Sequence, residues 1–152
     1  MTSDKDTIQN EQSLRTITYT PIDTGFAFDS FRSDLVAVDW AEGWADFILP
    51  ADNAYVLRVE FARRSMIRAL DEVAFSLESN PNARIGLMPG HFAYQVEGAP
   101  FGSSVTKQSW ERALGIPLKH YCFVTGDGCL DVLSDFPPRF SLLPLDPHTQ
   151  FP

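Results

Sequence analysis

The stretch KHYCFVTGDGCLDVLS, residues 119–134, places His120, Cys122, Cys129 and Asp131 within twelve positions. A histidine beside a cysteine can draw off the thiol proton, and a carboxylate can orient the imidazole, which is what thiolate chemistry requires. Strand register decides whether these groups meet. With Gly126-Asp127 as a two-residue turn, Phe123 faces Leu130 and Tyr121 faces Val132, and these four make a core face. The other face then carries His120, Cys122 and Val124 against Cys129, Asp131 and Leu133. Cys122 lies directly across from Asp131, with His120 as diagonal neighbour. Moving the turn to Asp127-Gly128 pairs Cys122 with Leu133 and dissolves the arrangement.

Neighbouring strand positions seldom supply the oxyanion donors and cleft that acyl transfer needs. The plainer reading makes Cys122 and Cys129 small apolar fillers and His120 a polar residue at a strand edge. Diagonal placement disfavours a disulfide between the cysteines. Their C-x6-C spacing is not a common zinc pattern, so no metal is expected. His120, Cys122 and Asp131 stand as candidates for catalysis, none of them committed.

A second constellation is VAVDWAEGWADFILPAD, residues 36–52. Trp40 and Trp44 are four apart, interleaved with Asp39, Glu42 and Asp46. Tryptophan is enriched at binding hot spots, and surrounding acids steer a basic partner. The bland alternative buries both tryptophans and leaves the acids as a solvated rim. Arg58, Arg63, Arg64 and Arg68 are expected to answer the acidic segment within the molecule. His91 and Glu97, at the two ends of one expected strand about 20 Å apart, cannot form an acid–base pair. The chain has no G-x-x-x-x-G-K, G-x-S-x-G, H-E-x-x-H or EF-hand pattern, and no cofactor is expected.

The elements that position these residues read mostly as strands. YVLRVEFAR (55–63) alternates with a period of two. Further strand signals occur at 16–20, 26–31, 35–40, 91–96, on both arms of the 119–134 hairpin, and at 139–144. Short connections favour antiparallel pairing. Met66, Ile67, Leu70, Val73, Ala74 and Leu77 fall on one helical stripe, which predicts a medium helix over about 65–79, with a strand pair as the alternative. Arg63, Arg64 and Arg68 near its positive end argue against that helix. A short helix is expected at about 107–114, ended by Gly115, and GAPFGSS (98–104) reads as a loop before it. The fold class is α+β: a single domain over 14–144, mainly an antiparallel sheet of six or more strands, with loose tails at 1–13 and 145–152.

The 152 residues suffice for a core that buries roughly 70% of the unfolded surface. Net charge is −8, and the window from Asp23 to Asp52 holds seven acids against Arg32 alone. That balance argues against nucleic acid and anionic membrane surfaces as partners. No run approaches the roughly 18 to 20 apolar residues of a membrane span, and no secretory signal is read at the start. Two cysteines fit a reducing compartment, so the expectation is cytoplasmic. Taken together, these features predict a small non-enzymatic binding module, concretely an immunity or antitoxin type. It would present Asp39, Trp40, Glu42, Trp44 and Asp46 to a basic protein. The alternative is a small enzyme or ligand-binding domain using the His120/Cys122/Asp131 face.

Overall fold

The computed structural model describes residues 16–49, 52–78, 80–145 and 148. The expected tails at 1–13 and 145–152 therefore lie outside the described residues, apart from Leu145 and His148. Among the described residues ten strands form two sheets. In chain order they are β1 (Ile17–Pro21), β2 (Asp34–Asp39), β3 (Trp44–Leu49), β4 (Asp52–Glu60), β5 (Met66–Asp71), β6 (Arg84–Ile85), β7 (Ala93–Glu97), β8 (Lys119–Val124), β9 (Gly128–Ser134) and β10 (Arg139–Pro144). Among the described residues two helices, α1 (Glu72–Glu78) and α2 (Val105–Leu114), complete an α+β fold. The larger sheet runs β5-β9-β8-β7-β1-β6 and the smaller β10-β4-β3-β2. Every pairing is antiparallel except β1 with β6.

The sheets pack face to face over one core. Phe47, Leu57 and Val59 come from the small sheet, and Tyr121, Phe123, Leu130 and Val132 from the large one. Phe92 joins them, its ring edge-on to Phe47 at 4.7 Å. The alternation along β8 and β9 that marks Tyr121, Phe123, Leu130 and Val132 as the core face is realised, because Phe123 pairs with Leu130 and Tyr121 with Val132. The reverse face of the large sheet is also covered. Ile17, Tyr19, Tyr94, Cys122 and Cys129 form a second cluster, over which Phe75 of α1 packs.

Three expectations require correction. Residues 65–79 do not form one helix: Met66–Asp71 is a strand on the outer edge of β9, and only Glu72–Glu78 is helical. Val73 and Leu77, counted in the apolar stripe, are exposed. Strand pairing wins because it places Arg68 opposite Asp131, where a helix would have set arginines against its own positive end. Residues 26–31 form no strand. Phe28 packs on the core from a loop, and Asp29 accepts a hydrogen bond from Phe31 N to cap the single 3-10 turn Ser30–Arg32. The segment 98–104, expected as a plain loop, contains another 3-10 turn at Phe101–Ser103.

Candidate functional site

Both constellations assemble in space, and they differ in access. In the first, Cys122 pairs across the ladder with Asp131. The diagonal His120 reaches the same carboxylate, Nε2 to Oδ1 at 2.6 Å. Asp131 Oδ2 accepts from the Arg68 guanidinium at 2.9 Å, and Arg68 also bonds Glu78 of α1. The Arg68 guanidinium lies over the Phe101 ring, 4.7 Å from its centre.

This cluster is interior. His120 and Asp131 retain 5% and 2% of their exposure, and Cys122 none. The placement of His120 at a strand edge is thus wrong: Phe101 stacks edge-on against it, and Gly102 closes over its Nδ1. A Cβ on Gly102 would stand 2.8 Å from that nitrogen. Nδ1 has no hydrogen-bond partner among the described residues. The hydrogen bond of Nε2 to Asp131 fixes the ring orientation, with Nδ1 turned toward the 101–103 turn.

Burial by itself would raise the Asp131 pKa, but the hydrogen bond from His120 and then Arg68 hold it below the usual carboxylate range. Cys122 moves the other way. Its hydrogen bond with Cys129, burial and the Asp131 charge push its thiol well up, so it stays protonated. Thiolate chemistry needs the opposite shift and an open approach. The void among Arg68, Glu78, Arg84, His120 and Asp131 is about 10 Å³, too small for a substrate. Cys122 and Cys129 are free thiols. With Asp131 they offer three ligand atoms within 4.8 Å of one another, a donor set suited to a thiophilic ion. Both Asp131 oxygens are already engaged, so an ion would have to displace Arg68.

The second constellation surrounds the tip of the β2–β3 hairpin, where Asp39 pairs with Trp44. Gly43 closes the turn at φ 82°, and a side chain there would collide with the Phe61 carbonyl. Asp46 is not on a solvated rim. It is buried, with its carboxylate held by Arg58 through two bonds of 2.8 and 3.0 Å. The same guanidinium lies 3.8 Å from the centre of the Trp44 ring. Asp39 accepts from Glu42 N, and Glu42 pairs with Arg63 at the surface. Arg58 and Arg63 therefore answer the acidic segment as expected, whereas Arg68 serves Asp131.

Trp40 is the residue left facing outward, half exposed. Its indole N–H donates to Ser65 O at 2.7 Å, and its carbonyl accepts from Arg64 N at 2.9 Å. Arg64 reaches it from the left-handed region, φ 55°. On the far side of Ser65 lies a largely apolar cleft of about 350 Å³, walled by Met66, Trp110, Leu114 and Ile116. Trp110 was not singled out from sequence, since it sits alone in a short helix. Arg68 and Glu78 were missed as partners of Asp131 because the expected helix separated them from β9. No protein-family model matches this chain, and neither a curated protein nor a solved structure matches it.

Proposed function

We propose that the chain is a non-enzymatic protein-binding module that meets a basic protein through the β2–β3 hairpin tip. The observation that carries this is Trp40. A half-exposed tryptophan fixed by its own N–H is an anchor whose ordering cost is already met before a partner arrives. Arg64 and Ser65, the two residues that Trp40 bonds, also line the apolar cleft that holds Trp110. Asp39 and Glu42 stand at its rim, and the −8 net charge supplies a long-range field for a cationic partner. Asp46 and Trp44 support the hairpin from behind through Arg58 and are assigned no contact with the partner.

The same charge disfavours nucleic acid. Among the described residues no helix is long and apolar enough to cross a membrane. With two free cysteines, a cytoplasmic location is the one proposed. Size and acidity alone favour the immunity-protein version, so the proposal stops at a basic protein. No cofactor enters it. The enzyme alternative gains nothing from the buried, proton-retaining Cys122.

The test is parallel capture from source-cell extract on immobilised wild type and Trp40→Ala. The expected result is a stoichiometric basic protein held by the wild type, released as salt rises, and absent from the Trp40→Ala column. Identical retention by both, or a salt-independent partner, overturns the proposal.

A further inference from the structure

The two sheets each end in an open strand, and these ends lie side by side. β2 is the outer strand of the small sheet and β5 of the large one; among the described residues no strand pairs with either outer edge. They run in opposite directions and are tied together at both ends. At one end Gly126 N donates to Ser33 O at 3.0 Å, just before β2, and Glu72 N donates to Asp127 O at 2.8 Å, just after β5. At the other end, Trp40 after β2 holds Arg64 and Ser65 before β5.

Between these ties lies a slot of about 410 Å³. Leu35, Val36 and Ile48 line one wall, Ala69 and Leu70 the other, and Asp34 and Asp127 share one end. The pairing of β2 with β3 shifts register between Leu35 and Ala37, so β2 bulges at Val36 along this slot. Asp34 and Asp127 line the same end of the slot, and no basic side chain is among its described lining residues. Burial first, then the Asp127 charge, raise the Asp34 pKa. Two like charges at one open end favour a cation entering there.

We propose that this slot receives an extended, basic segment of the partner protein. The segment adds as a strand to the edge of β2 or β5 and sets a lysine or arginine against Asp34 and Asp127. The inference rests on the protein-binding reading above and names the partner's contact segment. An open strand edge supplies backbone donors and acceptors for such an addition, and alternate side chains fill the apolar walls. A second copy of this chain is the poorer occupant, since it would bring −8 against −8 and acid against acid. Trp40 directly follows β2, so a strand laid along β2 beyond the slot heads toward the proposed anchor.

The experiment pans the immobilised full chain against displayed random linear peptides at low salt, and measures the enriched peptides on variants. Ala69→Trp fills the slot from an exposed position. Asp34→Asn with Asp127→Asn removes the charges and leaves the walls intact. The expected result is enrichment of basic residues flanked by alternating β-branched ones, with affinity falling at least about tenfold in each variant. Peptides bound equally well by both variants, or no enrichment at all, overturn the slot. Self-association abolished by Ala69→Trp would make a second copy the occupant and also overturn it. If the slot fails while the captured partner still depends on Trp40, the hairpin reading survives alone. If basic peptides bind in the slot but Trp40→Ala retains the captured partner, the anchor fails instead.

Discussion

Asp131–Arg68 and Asp46–Arg58 are the same device built twice. Each joins an aspartate to an arginine directly opposite on the next strand, one pair in each sheet. Each lays the guanidinium over an aromatic ring, Phe101 in one case and Trp44 in the other. The surroundings make the difference. Asp131 also holds a buried histidine beneath the 101–103 turn, whereas Asp46 backs a hairpin whose tip is open. Residues with catalytic types thus gather where access is least, and the surface with the better claim to function has ordinary chemistry. Clusters of His, Cys and Asp arise in this protein from the cross-strand pairing of a sheet with two covered faces.

Cys122 gives the widest margin for testing that contrast. Its thiol keeps its proton and has no exposure, so alkylation at neutral pH must wait for the chain to open. The expected rate is about a thousandfold below that of a small-molecule thiol, rising to the model rate in urea. Rapid modification in the native state would put the cluster back among candidate sites.

The next contrast is between the two ion pairs themselves. Asp131→Ala leaves the buried His120 Nε2 without its acceptor and Arg68 with Glu78 alone, so it should cost about 3–5 kcal/mol. Asp46→Ala removes two bonds from Arg58 but leaves no second buried group without its partner, and should cost about 1.5–3 kcal/mol. Urea unfolding of both variants measures this, and equal losses would show that burial does not separate the pairs. Asp131 also sets a pH signature. Its folded pKa is depressed, so its contribution is complete above the unfolded value of about 3.9 and is lost as pH falls below it. Wild-type stability should therefore drop in that acid range, and Asp131→Asn should drop less steeply.

How far the sequence revealed this contrast depended on distance along the chain. The β8–β9 hairpin was legible from its alternation and Gly-Asp-Gly turn, which left two registers open, and the structure takes the one with Gly126-Asp127 at the tip. The burial of His120 was not legible, since its cover comes from Phe101 and Gly102, about twenty positions away in a segment with no periodicity of its own. Residues 66–77 misled for a related reason. A strand followed directly by a helix offers apolar residues at spacings that imitate one longer helix, and only pairing with β9 resolves it. At the hairpin, the acids and tryptophans were visible, but the sharing of Arg58 between Asp46 and Trp44 needed the β3–β4 pairing.

The cover over His120 can be tested directly. Gly102→Ala places a methyl 2.8 Å from Nδ1 and 2.9 Å from the His120 Cβ, neither of which can retreat from the ladder. Overpacking of this kind should cost about 1–3 kcal/mol. A neutral outcome by thermal melting would mean that the 101–103 turn lifts away easily, and the imidazole would then be reachable after all.

The smallest stability effect tests the open side. Glu42 and Arg63 keep side-chain exposures of 57% and 74% at the hairpin tip. Exposed pairs contribute little, so Glu42→Gln should melt with the wild type, within about 0.5 kcal/mol. The same substitution removes a rim charge beside Trp40 and leaves Arg63 unpaired and facing any cationic partner. Association with the captured protein should slow by about tenfold at low salt and converge on the wild-type rate as salt screens the field. A change silent in folding and loud in association belongs to a binding surface, and Asp131→Ala should show the reverse. Were Glu42→Gln silent in both, the acids at the tip would be solvation, and the partner would be recognised through Trp40 and the neighbouring slot alone.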